Sequence, residues 1–335
     1  MAFLATELRP SVKDRPPNRA PSLRMNGIDV TTPLPRKGHG PIIDSHVHLG
    51  DPDATALMIE AGRRFDVACF IGIVHLEHLD GMRKRFGSLV RFNVWTTRDR
   101  PDDPVAFART NRDIVRRAAD LGAVCIKFWY KPEFNERTGL FFDDWRLDPV
   151  FEAMRDAGLP ALVHIADPNV WWQTRYADGE RFERKRFTYR QLTNTLGRYP
   201  DLRVVVAHMG GFPEDLDFLD GLLTQYPNCY LDTSATKWVV RELAAQRDRA
   251  RAFFLRHADR LLFGTDLVPS KKATYEHHCS RYWVHRYLYE QSGTTRSPID
   301  DADATSEVHI VGLDLPEPVL RRLYYENAVG IFKLQ

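Results

Sequence analysis

Several signals that would classify the chain quickly are missing from its sequence. Only four of its 335 residues are cysteine and none forms a CxxC pair, which argues against a disulfide scaffold or a zinc ribbon. Cys69, Cys125 and Cys229 sit in apolar, strand-like runs and read as small core residues; Cys279, in YEHHCSRYW, alone has polar company and is expected to be a reduced thiol. No apolar run approaches the roughly 18–20 residues of a membrane span. The N-terminus, MAFLATELRPSVKDRPP, has no apolar core of signal-peptide length. A cytoplasmic protein without membrane contact is therefore expected. Net charge is only +2, and the basic excess is local: residues 1–40 carry seven Lys/Arg against three Asp/Glu. Positive charge placed in a Pro-rich arm, away from any structured face, argues against nucleic-acid binding.

What is present is ample apolar content, 43%, beside 27% charged residues, enough for a large core. Seven of the 21 prolines fall in the first 41 residues, so the arm, residues 1–40, is expected to be extended and to add little to the core. It either wraps a neighbouring subunit of a homo-oligomer, the expected assembly, or hangs as a tail. Residues 41–335 form the second unit. Here β-branched and aromatic runs alternate with amphipathic stretches: IIDSHVH, VACFIGI, LVRFNVW, AVCIKFW, PALVHI, LRVVVAH, CYLDT and RLLFGTD. The intervening DPVAFARTNRDIVRRAADLG and DPVFEAMRDAGLP carry apolar residues at helical spacing and end on glycine. Strand and helix repeated eight times is the pattern of a (β/α)8 TIM barrel. An open doubly wound sheet shares the alternation but lacks its phosphate loop, since no GxGxxG or GxxxxGK[ST] follows the first strand. Long links after strands 5 and 8 exceed the usual few residues and suit lids or substrate walls.

The polar residues fall at strand ends. His46, His48, Lys127, His164, His208, Asp232 and Asp266 all lie at or just past the C-terminal end of a strand, and in a barrel those ends form the ring where active sites are built. An HxH pair alone is a weak signal, equally well read as two hydrogen-bonded histidines on a half-buried strand. The company of His164, His208 and Asp266 turns it toward a metal. With strict alternation along strand 1, Asp44 faces the same way as His46 and His48.

The series DSHVH, VHI, AHMGG and FGTD, with ENAVGIF near the C-terminus, resembles the amidohydrolase superfamily. Within it, the chain resembles the amidohydrolase-related family of metal-dependent hydrolases and decarboxylases, from residue 41 to 335. The resemblance implies that His46, His48, His164 and Asp266 bind a divalent metal, with His208 as a further ligand or an acid/base group. It also implies a choice for Lys127: carboxylated and bridging two ions, as in some related enzymes, or a plain lysine paired with an acid such as Asp232. Zinc suits the N/O donor set first, then manganese, iron or cobalt, as one ion or two. A bound ion lowers the pKa of water from 15.7 to about 7, and Asp266 and His208 are the expected catalytic pair. Asp44 is expected to steady a ligating histidine through its second ring nitrogen. Asp232 either does likewise, touches substrate, or caps the following turn. Arg98, Trp171, Trp172 and Arg281 are candidates for binding a carboxylate-bearing cyclic or aromatic small molecule, though the aromatic and basic runs around them also suit plain two-faced helices. The expected activity is hydrolysis of an amide, ester or lactone bond by metal-activated water. The alternative is non-oxidative decarboxylation of an unsaturated or phenolic acid.

Overall fold

The computed structural model describes residues 26–38, 40–99 and 102–334. Eight parallel strands run around a barrel in sequence order: β1 Ile42–His48, β2 Val67–Val74, β3 Val90–Trp95, β4 Cys125–Trp129, β5 Ala161–His164, β6 Val204–Val206, β7 Cys229–Asp232 and β8 Leu261–Leu262. The TIM-barrel expectation holds. The ring closes just beyond the short β8, where Ser45 N donates to Phe263 O at 2.9 Å, Asp266 N to His46 O at 2.7 Å and His48 N to Leu267 O at 2.8 Å. These closing bonds set Asp266 beside the two histidines of β1.

Alternation along the strands divides the core in two. Phe70, Val90, Phe92, Val94, Val204 and Val206 face the helices. Ile43, Ile71, Ile73, Leu162, Val205 and Leu262 fill the barrel, whose lower end is stopped by Ile331 and Phe332 of the last helix, Asn327–Phe332. The ENAVGIF run is thus a plug, tied in by Asn327 Nδ2, which donates to Ala258 O at 2.8 Å and Leu261 O at 2.7 Å. Asp-Pro pairs start two of the outer helices: Asp51 caps Pro52–Arg64 and Asp103 caps Pro104–Asp120, each accepting from first-turn N–H groups. Gly158, at φ 67°, ends the helix Asp148–Ala157 in the left-handed conformation that suits glycine.

Both long links are ordered. The first holds one turn, Asn169–Gln173, and a short helix, Lys185–Thr188; the second holds the helix Tyr275–Glu290 and an antiparallel hairpin of β9 Thr294–Arg296 with β10 His309–Val311. The long helix does not have the charged outer face its sequence suggests. Arg286 and Glu290 are 1% and 3% exposed and pair, Arg286 Nε donating to Glu290 Oε1 at 2.9 Å. That pair also grips the end of the N-terminal arm. Arg286 Nη2 donates to Leu34 O at 2.8 Å, Lys37 N donates to Glu290 Oε2 at 2.9 Å, and Val30 is fully buried. Residues 26–38 therefore pack on the barrel, on the near side of the boundary drawn at residue 40; sealing Val30 contributes about 1.5 kcal/mol. Ile28, Val30 and Leu34 lie in a Pro-flanked stretch that forms neither helix nor strand, so the sequence does not mark them as core. The remainder of the arm, 1–25, lies outside the described residues. All four cysteines are free thiols, Cys125, Cys229 and Cys279 buried and Cys69 partly so. Among the described residues no helix is long and apolar enough to cross a membrane.

Candidate metal centre

At the top of β1 and the closing segment, three donors converge. Asp266 Oδ1 lies 3.1 Å from His48 Nε2 and 3.4 Å from His46 Nε2. Donors about 2.1 Å from one ion at tetrahedral angles lie about 3.4 Å apart, so this His-His-Asp group fits a divalent cation. Burial by itself would raise the Asp266 carboxyl, but the His48 hydrogen bond and the nearby His46 and His208 hold it well below the usual carboxylate range.

The other nitrogen of His46 is committed. Asp232 Oδ2 accepts from His46 Nδ1 at 2.8 Å, and Asp232 is an ionised, acceptor-only carboxylate whose pKa is held low, against its burial, by His46, His208 and Ser234. The Nδ1 proton therefore sits between them, and the Nε2 lone pair faces Asp266. This is the carboxylate–histidine–metal arrangement in which a supporting acid fixes the tautomer. Asp232 Oδ1 also accepts from the backbone N of His208 at 2.9 Å and of Ser234 at 3.0 Å. One carboxylate from β7 thus locks β1 and the end of β6 together.

A second chain of hydrogen bonds crosses the cavity. Asp167 Oδ1 lies 3.0 Å from His164 Nε2, His164 Nδ1 lies 3.0 Å from His208 Nε2, and His208 Nδ1 lies 2.8 Å from Ser234 Oγ. Asp167 is held at about 2, against its burial, by His164 and by Tyr176, whose hydroxyl donates at 2.5 Å. An ionised Asp167 takes the His164 Nε2 proton and His164 Nδ1 then accepts from His208 Nε2–H, while the Ser234 hydroxyl beside His208 Nδ1 donates to Asp232 Oδ1. Burial pushes His208 down to about 3, keeping it uncharged. His164, expected among the metal ligands, spends both nitrogens on this chain and stands outside the convergent group. Asp167, Tyr176 and Ser234 escape sequence reasoning, although DP after VHIA and ST in LDTSAT place acceptors and hydroxyls at strand ends.

Backbone strain gathers here. His208, Met209, Ala235 and Asp266 all have φ between 50° and 65°, costing of order 1–3 kcal/mol each where a side chain must sit left-handed. Gly211 continues the turn after His208 at φ 73°, and a Cβ there would lie 2.9 Å from Ala166 O. The turn aims His208 into the cavity and leaves no room for a side chain behind it.

Two further expectations change. Pairing of β1 with β2 slips between Asp44 and Val47, which breaks the alternation. Asp44 meets the outer layer, accepting from Thr265 Oγ1 at 2.6 Å, Thr265 N at 3.1 Å and Tyr282 OH at 2.9 Å. Burial pushes its carboxyl up to about 7 against those bonds. It supports no imidazole ring; Asp232 does. Lys127 does not pair with Asp232: its Nζ lies 3.4 Å from His46 Nε2, and burial lowers its pKa.

The substrate candidates separate. A cavity of about 290 Å³ is lined by His164, His208 and Asp266 together with Trp171 and Arg281. Trp171 Nε1 donates to Asp303 at 3.0 Å, and burial pushes Arg281 down to about 9. Trp172 is not on this wall; it packs on Tyr176 at 4.9 Å and donates to Glu183 O at 2.9 Å. Arg98 lines a different hollow, of about 1050 Å³, and stacks on Trp129 at 4.4 Å.

Comparison with known proteins agrees with this architecture. A 5-carboxyvanillate decarboxylase from Novosphingobium aromaticivorans, complexed with manganese, is 14% identical, with a TM-score of 0.53 over 92% of this chain and 100% of that one. A 4-oxalomesaconate hydratase from Rhodopseudomonas palustris is 14% identical, with a TM-score of 0.53 over 87% and 95%. A Pseudomonas putida protein provisionally described as 2-pyrone-4,6-dicarboxylic acid hydrolase is 14% identical, with a TM-score of 0.50 over 89% and 100%. At such identities the likeness is one of fold. No curated protein matches the chain. The family model described as Amidohydrolase matches residues 43–334. Reaching from β1 to the closing plug, that match makes the chain an enzyme of the amidohydrolase family.

Proposed function

We propose that the enzyme is a metal-dependent hydrolase of an amide, ester or lactone bond in a small carboxylate-bearing cyclic or aromatic substrate. The observation that carries the reading is the placement of Asp266: one oxygen meets both β1 histidines, and the residue lines the same cavity as His208. His46, His48 and Asp266 would hold the ion, zinc by first preference for an N/O donor set. When bound, such an ion supplies Lewis acidity toward a carbonyl and brings the pKa of water to about 7.

The chain's own groups do the rest. Both histidine contacts fall on Asp266 Oδ1, so Oδ2 is the oxygen that takes the proton of the attacking water and passes it to the leaving group. The one N–H of the uncharged His208 points at His164 Nδ1; on substrate binding that Nε2–H turns from His164 to the carbonyl oxygen as negative charge develops there. Trp171 and Arg281 supply an aromatic and a cationic wall. The names of the solved structures of like fold, with 5-carboxyvanillate, 4-oxalomesaconate and 2-pyrone-4,6-dicarboxylic acid among them, support a carboxylate-bearing substrate.

One observation favours a second reading, non-oxidative decarboxylation: the unbroken Asp167–His164–His208 chain is a proton route that could end at carbon. Isotopes separate the two. Metal-loaded enzyme turning over a panel of lactones, amides and phenolic acids in H2(18)O places the label in a new carboxylate if it hydrolyses. In D2O it places deuterium on carbon with release of CO2 if it decarboxylates. Neither label in any product, with metal bound, contradicts both readings.

A further inference from the structure

Lys237 and Trp238 take no part in the chemistry above and lie in none of the motifs. They begin the helix Thr236–Ala245, and Ala235, Thr236, Lys237 and Trp238 all line the catalytic cavity. The N-cap is Ala235, held left-handed at φ 65°, and no side chain caps the helix. Its first-turn N–H groups and the positive end of its dipole are therefore left to whatever occupies the cavity.

A second observation points the same way. Trp238 is 6% exposed, and its indole Nε1–H has no acceptor. A buried donor left unmade costs roughly 1–3 kcal/mol, a cost that a ligand oxygen would remove. The Lys185 ammonium, paired with Glu214, lies 5.1 Å from the ring. Lys237 is half-buried. Asp300, Asp301 and Asp303 stand near enough to act on its charge, as does Arg281; of these carboxylates, Asp301 pairs with Arg241 and Asp303 accepts from Trp171. The Trp238 and His208 rings are 6.4 Å apart, so one small cyclic molecule reaches both.

We propose that the start of this helix, with Lys237 Nζ and Trp238 Nε1–H, is the anion site of the cavity and binds a carboxylate group of the substrate. The inference rests on the reading of a carboxylate-bearing substrate and deepens it. Charge on the ligand is met by an ammonium, an indole N–H and uncapped backbone N–H groups, none of which belongs to the metal centre or moves a proton.

The test is binding, without turnover. Full-length, zinc-loaded protein with 15N-labelled tryptophan is titrated with benzoate and, separately, with benzamide, and the Trp238 indole resonance is identified by its loss in Trp238→Phe. Benzoate should shift that resonance and benzamide should not. Trp238→Phe and Lys237→Met should each weaken benzoate binding about tenfold, whereas Lys237→Arg should hold it within about threefold. Thermal unfolding of each variant near the wild-type midpoint shows that the fold is kept. Benzoate that binds equally well to both weakened variants sits on the metal and overturns the site, as does a shift confined to another indole or no binding at all. Because no product is measured, an enzyme that fails the isotope test can still pass this one, and the reverse.

Discussion

The two sides of the barrel mouth are built differently. On the β5–β8 side, carboxylates from β7 and from the links after β5 and β8 grip three imidazoles at 2.8 to 3.1 Å around a cavity of about 290 Å³. On the β2–β4 side, a hollow of about 1050 Å³ is walled by Trp95, Trp129 and Arg98. There the Arg98 guanidinium lies over aromatic faces, at 4.4 Å for Trp129, 5.8 Å for Phe134 and 5.9 Å for Trp95. Trp95 stands between the two sides, 5.9 Å from the His48 ring and 6.1 Å from His75. The contrast is one of chemistry: on one side protonation states are fixed by charge-assisted hydrogen bonds among buried groups, and on the other a cation is held against aromatic faces.

Substitutions can break or sharpen that contrast. Asp266→Asn should have the largest effect, a loss of turnover of about 10³-fold or more with the fold intact, read from kcat beside thermal unfolding; a fully active variant removes Asp266 from its role. Asp232→Asn comes next. It leaves His46 free to turn and should weaken metal affinity about 10–100-fold, measured by competition with a chelator. The same chemical change at Asp44 should act on the fold alone, costing about 1–3 kcal/mol in denaturant unfolding because an amide cannot accept from all of its donors, with metal content unchanged. Metal loss in Asp44→Asn would restore the alternative it was displaced from. Across the mouth, Arg98→Ala should raise KM by no more than about tenfold and leave kcat and metal content alone. Smallest of all, Trp172→Phe should leave kcat/KM within about twofold and cost about 1 kcal/mol of stability, the bond to Glu183 O.

Much of this was legible in the sequence where neighbours in the chain carry the information. The β-branched runs and the glycines and Asp-Pro pairs between them place strands and helices because period and capping are local. Other features were hidden for definable reasons. Asp44 misleads because a register slip is a property of two strands, not one. Trp172 misleads because WW in a loop does not say which indole turns to the cavity. Arg286 and Glu290 look like a solvated pair at i and i+4 until the helix is buried and the arm laid over it. Lys237 and Trp238 carry no motif; their place on the cavity wall follows from where a helix starts.

The sequence by itself determined a (β/α)8 barrel and the presence of histidines and acids at its C-terminal strand ends, since alternation along a strand and order around the ring follow from local pattern. Only the tertiary structure decided which nitrogen of each histidine is spoken for. The acid that commits His46 Nδ1 is Asp232, 186 residues further along the chain, at 2.8 Å, and such a partner is chosen by packing.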